Sequence, residues 1–221
     1  MTIFNIRGGY GSGKTTIVRE LMEGHTGYAI EIDRTGRKKP YVEAHILPEF
    51  LAIIGGDYRR PELRSAGCDG LTNSREPAAS YSAIHGYPGT PGIVERYHGE
   101  YYFSGNSNWP EDVLFEGAMI SARWGRWEEM AARLYARGER TVWCFLDTPL
   151  SVMIERIMAR NGGKHPKWAG EYADRVKGCL KKAKAVPHIT VAVLNYHHPV
   201  EDFMDTFNKY KGRQRAAVHR N

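Results

Sequence analysis

The sequence predicts an α/β three-layer sandwich with a mainly parallel five-stranded sheet, and three observations carry that expectation. The chain opens on a short apolar run that a glycine-rich turn joins to a helical pattern. From Asp112 to Leu194, apolar strands alternate with helical segments, as βα units of a parallel sheet require. A chain of 221 residues, 42% hydrophobic and 25% charged, is large enough to bury one such core and still carry insertions.

Thr2-Ile3-Phe4-Asn5-Ile6 reads as the first buried strand and Lys14 to Met22 as the first helix. Tyr28 to Asp33 and Tyr41 to Leu47 read as strands around the turn Thr35-Gly36-Arg37. The apolar run Phe50 to Ile54 follows, and this part of the sheet is expected to be partly antiparallel. Residues 55–109 break into glycine, proline, arginine and tyrosine, with a helix expected near Glu76 to His85 and a hairpin around Tyr97 to Phe103. This is the place for a substrate-binding insertion.

Alternation resumes with strand Asp112 to Phe115, helix Met119 to Arg137, strand Thr141 to Leu146 and helix Leu150 to Arg160. Residues 160–170 contain Asn161-Gly162-Gly163-Lys164-His165-Pro166-Lys167, a flexible basic stretch expected to form a short lid. Helical spacing returns from Glu171 to Ala185. A last strand, Ile189 to Leu194, precedes a helix over Val200 to Lys209, and Lys209 to Arg220 reads as a frayed basic tail. With no internal repeat, residues 1–221 read as a single domain.

The net charge of +6 and the pI near 9.2 favour a polyanionic partner, although an enzyme that holds only nucleotide phosphates also needs positive charge. Cys68, Cys144 and Cys179 are widely spaced and form no CxxC pair, so reduced buried thiols are expected. No stretch approaches the roughly 18 apolar residues of a membrane span, and a cytoplasmic location is expected.

Gly8-Gly9-Tyr10-Gly11-Ser12-Gly13-Lys14-Thr15 fits G-x-x-x-x-G-K-[ST] in full, between a strand and a helix as that motif requires. Gly9, Gly11, Ser12, Gly13, Lys14, Thr15 and Thr16 are therefore expected to bind ATP. Successive amides turn toward the phosphates, the helix start adds partial positive charge, Lys14 reaches the β- and γ-phosphates, and Thr15 ligates Mg2+. Tyr10 lies inside the loop with no role assigned.

The strand Val113-Leu114-Phe115 ends in Glu116 and Gly117, where a carboxylate orients magnesium. Glu116 lacks the adjacent acid common in motor ATPases, which favours transfer over hydrolysis. Asp147, at the end of the next strand, is its rival for the metal, or else starts a helix with Thr148 and Pro149. Arg156 and Arg160 stand four residues apart on one helix face, spaced to reach one phosphate or to form a plain solvated face. A hydroxyl acceptor needs a group to take its proton: Asp33, at the end of the second strand, and Asp69, between Cys68 and Gly70, are the two candidates.

Gly8 to Thr15, Phe115-Glu116-Gly117, Leu146-Asp147-Thr148-Pro149 and Arg156 with Arg160 resemble the nucleoside and nucleotide kinase branch of P-loop proteins. Glu116-Gly117-Ala118 departs from the Asp-Arg-Tyr type motif of thymidylate kinases and from the Glu-Arg-Ser of deoxynucleoside kinases, so neither specificity carries over. Ile54-Gly55-Gly56-Asp57-Tyr58 and Ala66-Gly67-Cys68-Asp69-Gly70 are similar to phage P-loop kinases that phosphorylate the hydroxymethyl group of 5-hydroxymethyluracil in DNA. That resemblance implies transfer of the γ-phosphate of ATP to a base hydroxyl. Arg59, Arg60, Arg64 and Arg75, with Tyr58 and other tyrosines, fit it, since phosphate contacts and stacking hold an extruded base. A soluble deoxynucleoside or nucleotide kinase, and a nucleic-acid-stimulated NTPase, are the alternatives.

Overall fold

In the computed structural model the described residues are 1–25, 27–32, 41–58, 68, 86–87, 90–91 and 112–212. Strand β1 (Thr2–Arg7) is buried along its whole length and lies inside the sheet, as a strand covered on both faces must. Its odd and even residues feed two separate cores. Ile3 joins Val113, Phe115, Trp143 and Phe145 on one face, while Phe4 and Ile6 join Leu114, Val142 and Cys144 on the other.

The remaining strands are β2 (Tyr28–Ile32), β3 (Tyr41–Leu47), β4 (Ala52–Gly55), a two-residue pair β5 (Gly86–Tyr87) and β6 (Thr90–Pro91), β7 (Asp112–Glu116), β8 (Arg140–Leu146) and β9 (Thr190–Leu194). Among the described residues the main sheet has seven strands, in the order β2-β3-β4-β7-β1-β8-β9. In it β4, β7, β1, β8 and β9 are mutually parallel, whereas β3 runs antiparallel to both β2 and β4. The α/β class stands, and the five-strand expectation is corrected to seven.

Leu51 explains how β4 enters. Its left-handed backbone (φ 49°) ends a 3-10 turn over Pro48–Phe50, so the apolar run Phe50 to Ile54 splits into a turn and a strand. Ile53 then aligns with Val113 and Ile54 with Leu114, placing β4 beside β7.

One face of the sheet is covered by α1 (Lys14–Met22) and α6 (Pro199–Tyr210), through Ile17, Val18, Leu21, Phe203 and Phe207. The other is covered by α3 (Gly125–Ala136) and α5 (Ala169–Ala183), through Trp127, Met130, Leu134, Val176 and Cys179. α4 (Leu150–Arg160) follows β8. The helix expected from Met119 to Arg137 is two, α2 (Ala118–Ser121) and α3. Buried Arg7 takes the carbonyls of Ser121 at 3.4 Å and Arg123 at 3.0 Å, which a continuous helix would use itself.

The turn at 35–37, the helix near 76–85, the hairpin around 97–103 and the end of the basic tail lie outside the described residues. Cys68, Cys144 and Cys179 are buried free thiols, as expected. Among the described residues no helix is long and apolar enough to cross a membrane.

Candidate active site

The parallel strands direct their carboxyl ends to one edge, and β1 delivers the phosphate loop there. Two glycines make the loop possible. Gly11 has φ 77°, and a Cβ on it would lie 2.6 Å from the Met153 carbonyl of α4; Gly13 opens α1 with φ 103°. The loop is thus pressed against α4 and enters α1 through a left-handed glycine, and a helix start reached in this way suits an anion.

Lys14 is 5% exposed, and its Nζ donates to the carbonyls of Gly8 at 3.0 Å and Gly9 at 2.9 Å, within the loop itself. The buried hydroxyl of Thr148 donates to the Ser12 carbonyl at 2.8 Å, and Arg156 Nη1 donates to the carbonyls of Gly11 at 3.3 Å and Ser12 at 3.4 Å. Ser121 holds the loop's first residue: the Gly8 amide donates to its Oγ at 3.1 Å. Gly9, Thr15 and Thr16 complete the expected set along the loop and first helical turn, with the Thr16 amide donating to the Gly13 carbonyl at 3.0 Å.

The hydroxyl of Thr15 donates to Glu116 Oε1 at 3.0 Å, and Glu116 is 2% exposed. This joins the loop's threonine to the acid ending β7. Two hard oxygen donors at the mouth of a phosphate loop suit Mg2+, which takes one or two protein ligands and completes its shell with phosphates and water. Asp147, the rival acid, instead accepts from the Tyr196 amide at 2.8 Å and ties β8 to the loop after β9.

Three expectations are revised or divided. Tyr58, expected to bind substrate by stacking, is 5% exposed, and its hydroxyl donates to Glu116 Oε1 at 3.4 Å; a ring so enclosed has no open face for a base. Arg156 touches the loop, whereas Arg160 is exposed and donates to the Arg156 carbonyl of its own helix at 3.2 Å. The parallel strand beside β7 is β4, not β2, so the carboxylate that follows it on this edge is Asp57. Asp33, Asp69, Arg59, Arg64 and Arg75 lie outside the described residues.

Sequence reasoning missed Tyr58's contact with Glu116, the Ser121 hydroxyl and Arg7. Arg7 has no exposed surface, and its guanidinium lies 3.4 Å from the Trp143 ring centroid. Burial draws its pKa from the ordinary arginine value down to about 9, so it remains a cation at neutral pH. Only its place directly before Gly8, in a strand otherwise apolar but for Thr2 and Asn5, hinted at a structural task.

A parallel sheet that aims its central strand at a phosphate loop, sets a strand-end acid without an acidic neighbour on the loop's threonine, and leans an arginine helix on the loop is the architecture of a P-loop kinase. It defines an ATP-dependent phosphotransferase with a hydroxyl acceptor. A Pseudomonas phage M6 protein named 5-hmdU DNA kinase is 33% identical over 164 residues, 74% of this chain and 74% of that one. The chain belongs to the 5-hmdU DNA kinase family. Salmonella phage ViI has a protein named 5-hmdU DNA kinase 1 that is 26% identical over 161 residues, 73% of this chain and 60% of that protein. No family model matches the chain. A gluconokinase structure from Sinorhizobium meliloti 1021 aligns over 94% of this chain and 92% of its own with TM-score 0.39 and 15% identity, a likeness too distant to carry an argument.

Proposed function

We propose that this protein transfers the γ-phosphate of ATP to the hydroxymethyl group of 5-hydroxymethyluracil in DNA. The observation that supports transfer is the 3.0 Å contact of Thr15 with Glu116 beside Lys14, and the similarity to the phage M6 protein supports the acceptor. Lys14 and the loop amides would hold the β- and γ-phosphates, and Arg156 would meet charge spreading over the transferred group. Thr15 and Glu116 would hold Mg2+, which supplies charge neutralisation across the phosphates.

In the step itself the acceptor oxygen forms a bond to the γ-phosphorus as the bond to the ADP oxygen breaks. The acceptor's proton passes to a carboxylate. Asp33 and Asp69 are candidates from the sequence, and the β4 topology adds Asp57. Arg59, Arg64 and Arg75 of the insertion would contact DNA phosphates.

The test is incubation with γ-labelled ATP and either DNA bearing 5-hydroxymethyluracil or the free nucleoside. Label in DNA, lost with Lys14→Ala, is the expected result. Label only on the nucleoside would establish a soluble nucleoside kinase, and DNA-stimulated phosphate release with no labelled acceptor would establish an NTPase.

A further inference from the structure

Tyr10 projects from the phosphate loop into two other aromatic rings. Its centroid is 4.7 Å from that of Trp168 at 77° and 5.1 Å from that of Tyr172 at 71°, while Trp168 and Tyr172 are 5.9 Å apart at 77°. All three contacts are edge-to-face, so each sets the edge of one ring on a single face of another and leaves that ring's opposite face uncovered by the contact. Trp168, the largest of the three, remains 41% exposed. α5 reaches the core through Ala169, Ala173 and Val176 instead, so the core does not require the indole.

Two further features say what belongs on that ring. Tyr10 adjoins Gly9, whose carbonyl holds the ammonium of Lys14 at 2.9 Å, so the cluster is anchored on the loop that would hold the β- and γ-phosphates. The acceptor must approach that end of the triphosphate, because its oxygen attacks the terminal phosphorus opposite the leaving ADP. From Arg156 to Trp168, moreover, the chain carries Arg156, Arg160, Lys164 and Lys167 and no acidic residue. Arg160, Lys164 and Lys167 are exposed. A cationic strip leading to an open aromatic ring is how single-stranded or extruded nucleotides are held, phosphates on the charges and a base on the ring.

We propose that Trp168, braced by Tyr10 and Tyr172, is the stacking platform for the acceptor nucleobase, and that the exposed basic strip from Arg160 to Lys167 takes the adjoining phosphates. This rests on the acceptor reading above and deepens it. The platform aims the base at the terminal phosphate, and Tyr10 couples it to the loop that holds that phosphate.

The test uses the full chain and a single-stranded 12-mer carrying one 5-hydroxymethyluracil. Its Kd is measured by anisotropy, and the KM for ATP in transfer, for the wild type and for Trp168→Phe and Trp168→Leu; both variants retain apolar bulk, but only Phe retains a ring face. Loss of one base stack should weaken oligonucleotide binding by about tenfold or more in Trp168→Leu, with Trp168→Phe near wild type and the KM for ATP moved far less than the Kd. A raised KM for ATP with unchanged Kd would assign the ring to adenine, and no change in either would assign it to packing; each overturns the proposal. If the wild type labels free nucleoside but not the oligonucleotide, the DNA reading fails by itself. The platform is then judged on the nucleoside KM, which rises in Trp168→Leu if it is correct and stays constant if it is not.

Discussion

Thr15 and Glu116 are 101 residues apart in sequence and share a hydrogen bond of 3.0 Å, so the geometry of the metal site depends on how firmly Glu116 is oriented. Tyr58 supplies the second contact, through its hydroxyl on the same Oε1 at 3.4 Å, and its backbone amide donates to His45 Nε2 at 3.4 Å. Tyr58→Phe removes one donor without changing the packing. It should raise the Mg2+ concentration for half-maximal transfer by about three- to tenfold, the scale of one modest hydrogen bond, while the thermal midpoint moves little. A magnesium titration of the transfer rate reads this directly; an unchanged requirement would show that the Tyr58 hydroxyl does not orient the acid. The proton acceptor is decided at the same scale. Of Asp33→Asn, Asp57→Asn and Asp69→Asn, the variant that removes the base should lower kcat by about 100-fold or more with little change in the KM for ATP. Position at the end of β4 favours Asp57. Comparing kcat among the three variants identifies the group, and three equally mild losses would exclude all of them.

The phosphate loop, Glu116 and the helix carrying Arg156 were legible in the sequence because each is a contiguous pattern whose chemistry is set by local spacing. Asp57 and the contact of Tyr58 with Glu116 were not. Both depend on β4 pairing with β7 across residues 56–111, and nothing in local periodicity says which of three early apolar runs takes that place. The candidacy of Asp33 assumes that the second strand in sequence is the neighbour in space, yet β2 lies at the sheet's outer edge, separated from β7 by β3 and β4. The break between α2 and α3 escaped for a related reason. It follows from Arg7, a residue of a different element, drawing the carbonyls of Ser121 and Arg123. At this scale α4 makes a clear prediction, since a single turn separates an arginine on the loop from one in solvent. Arg156→Ala should lower kcat/KM for ATP by about 10- to 1000-fold, the range for losing one charge-stabilising donor, and Arg160→Ala by less than about tenfold on the same scale. Equal losses, measured by steady-state transfer, would mean that α4 shifts on ATP binding so that both guanidiniums reach the phosphates.

Across the whole molecule, the net charge of +6 acquires a direction from the fold. The phosphate loop lies at the carboxyl-end edge of the parallel sheet, and Arg156 touches it from the helix that leads into the exposed Lys164 and Lys167. A polyanion at this edge would have these exposed cations close in sequence to Trp168 available to it, whereas a free nucleoside gains nothing from them. DNA and small-molecule acceptors should therefore respond differently to salt. Each phosphate of a single strand neutralised by a lysine or arginine contributes about 0.7 to the slope of log Kd against log salt concentration. Lys164→Gln with Lys167→Gln removes two such contacts and should flatten that slope by about 1.4, weakening binding most at low salt. The double variant's KM for a free nucleoside should stay close to wild type at every salt concentration. Titrating the oligonucleotide between 50 and 200 mM salt, a range over which counterion release dominates, measures the slope. A slope identical in the double variant would move the DNA path away from the basic strip, leaving the arginines of the insertion, Arg59, Arg64 and Arg75, to carry it.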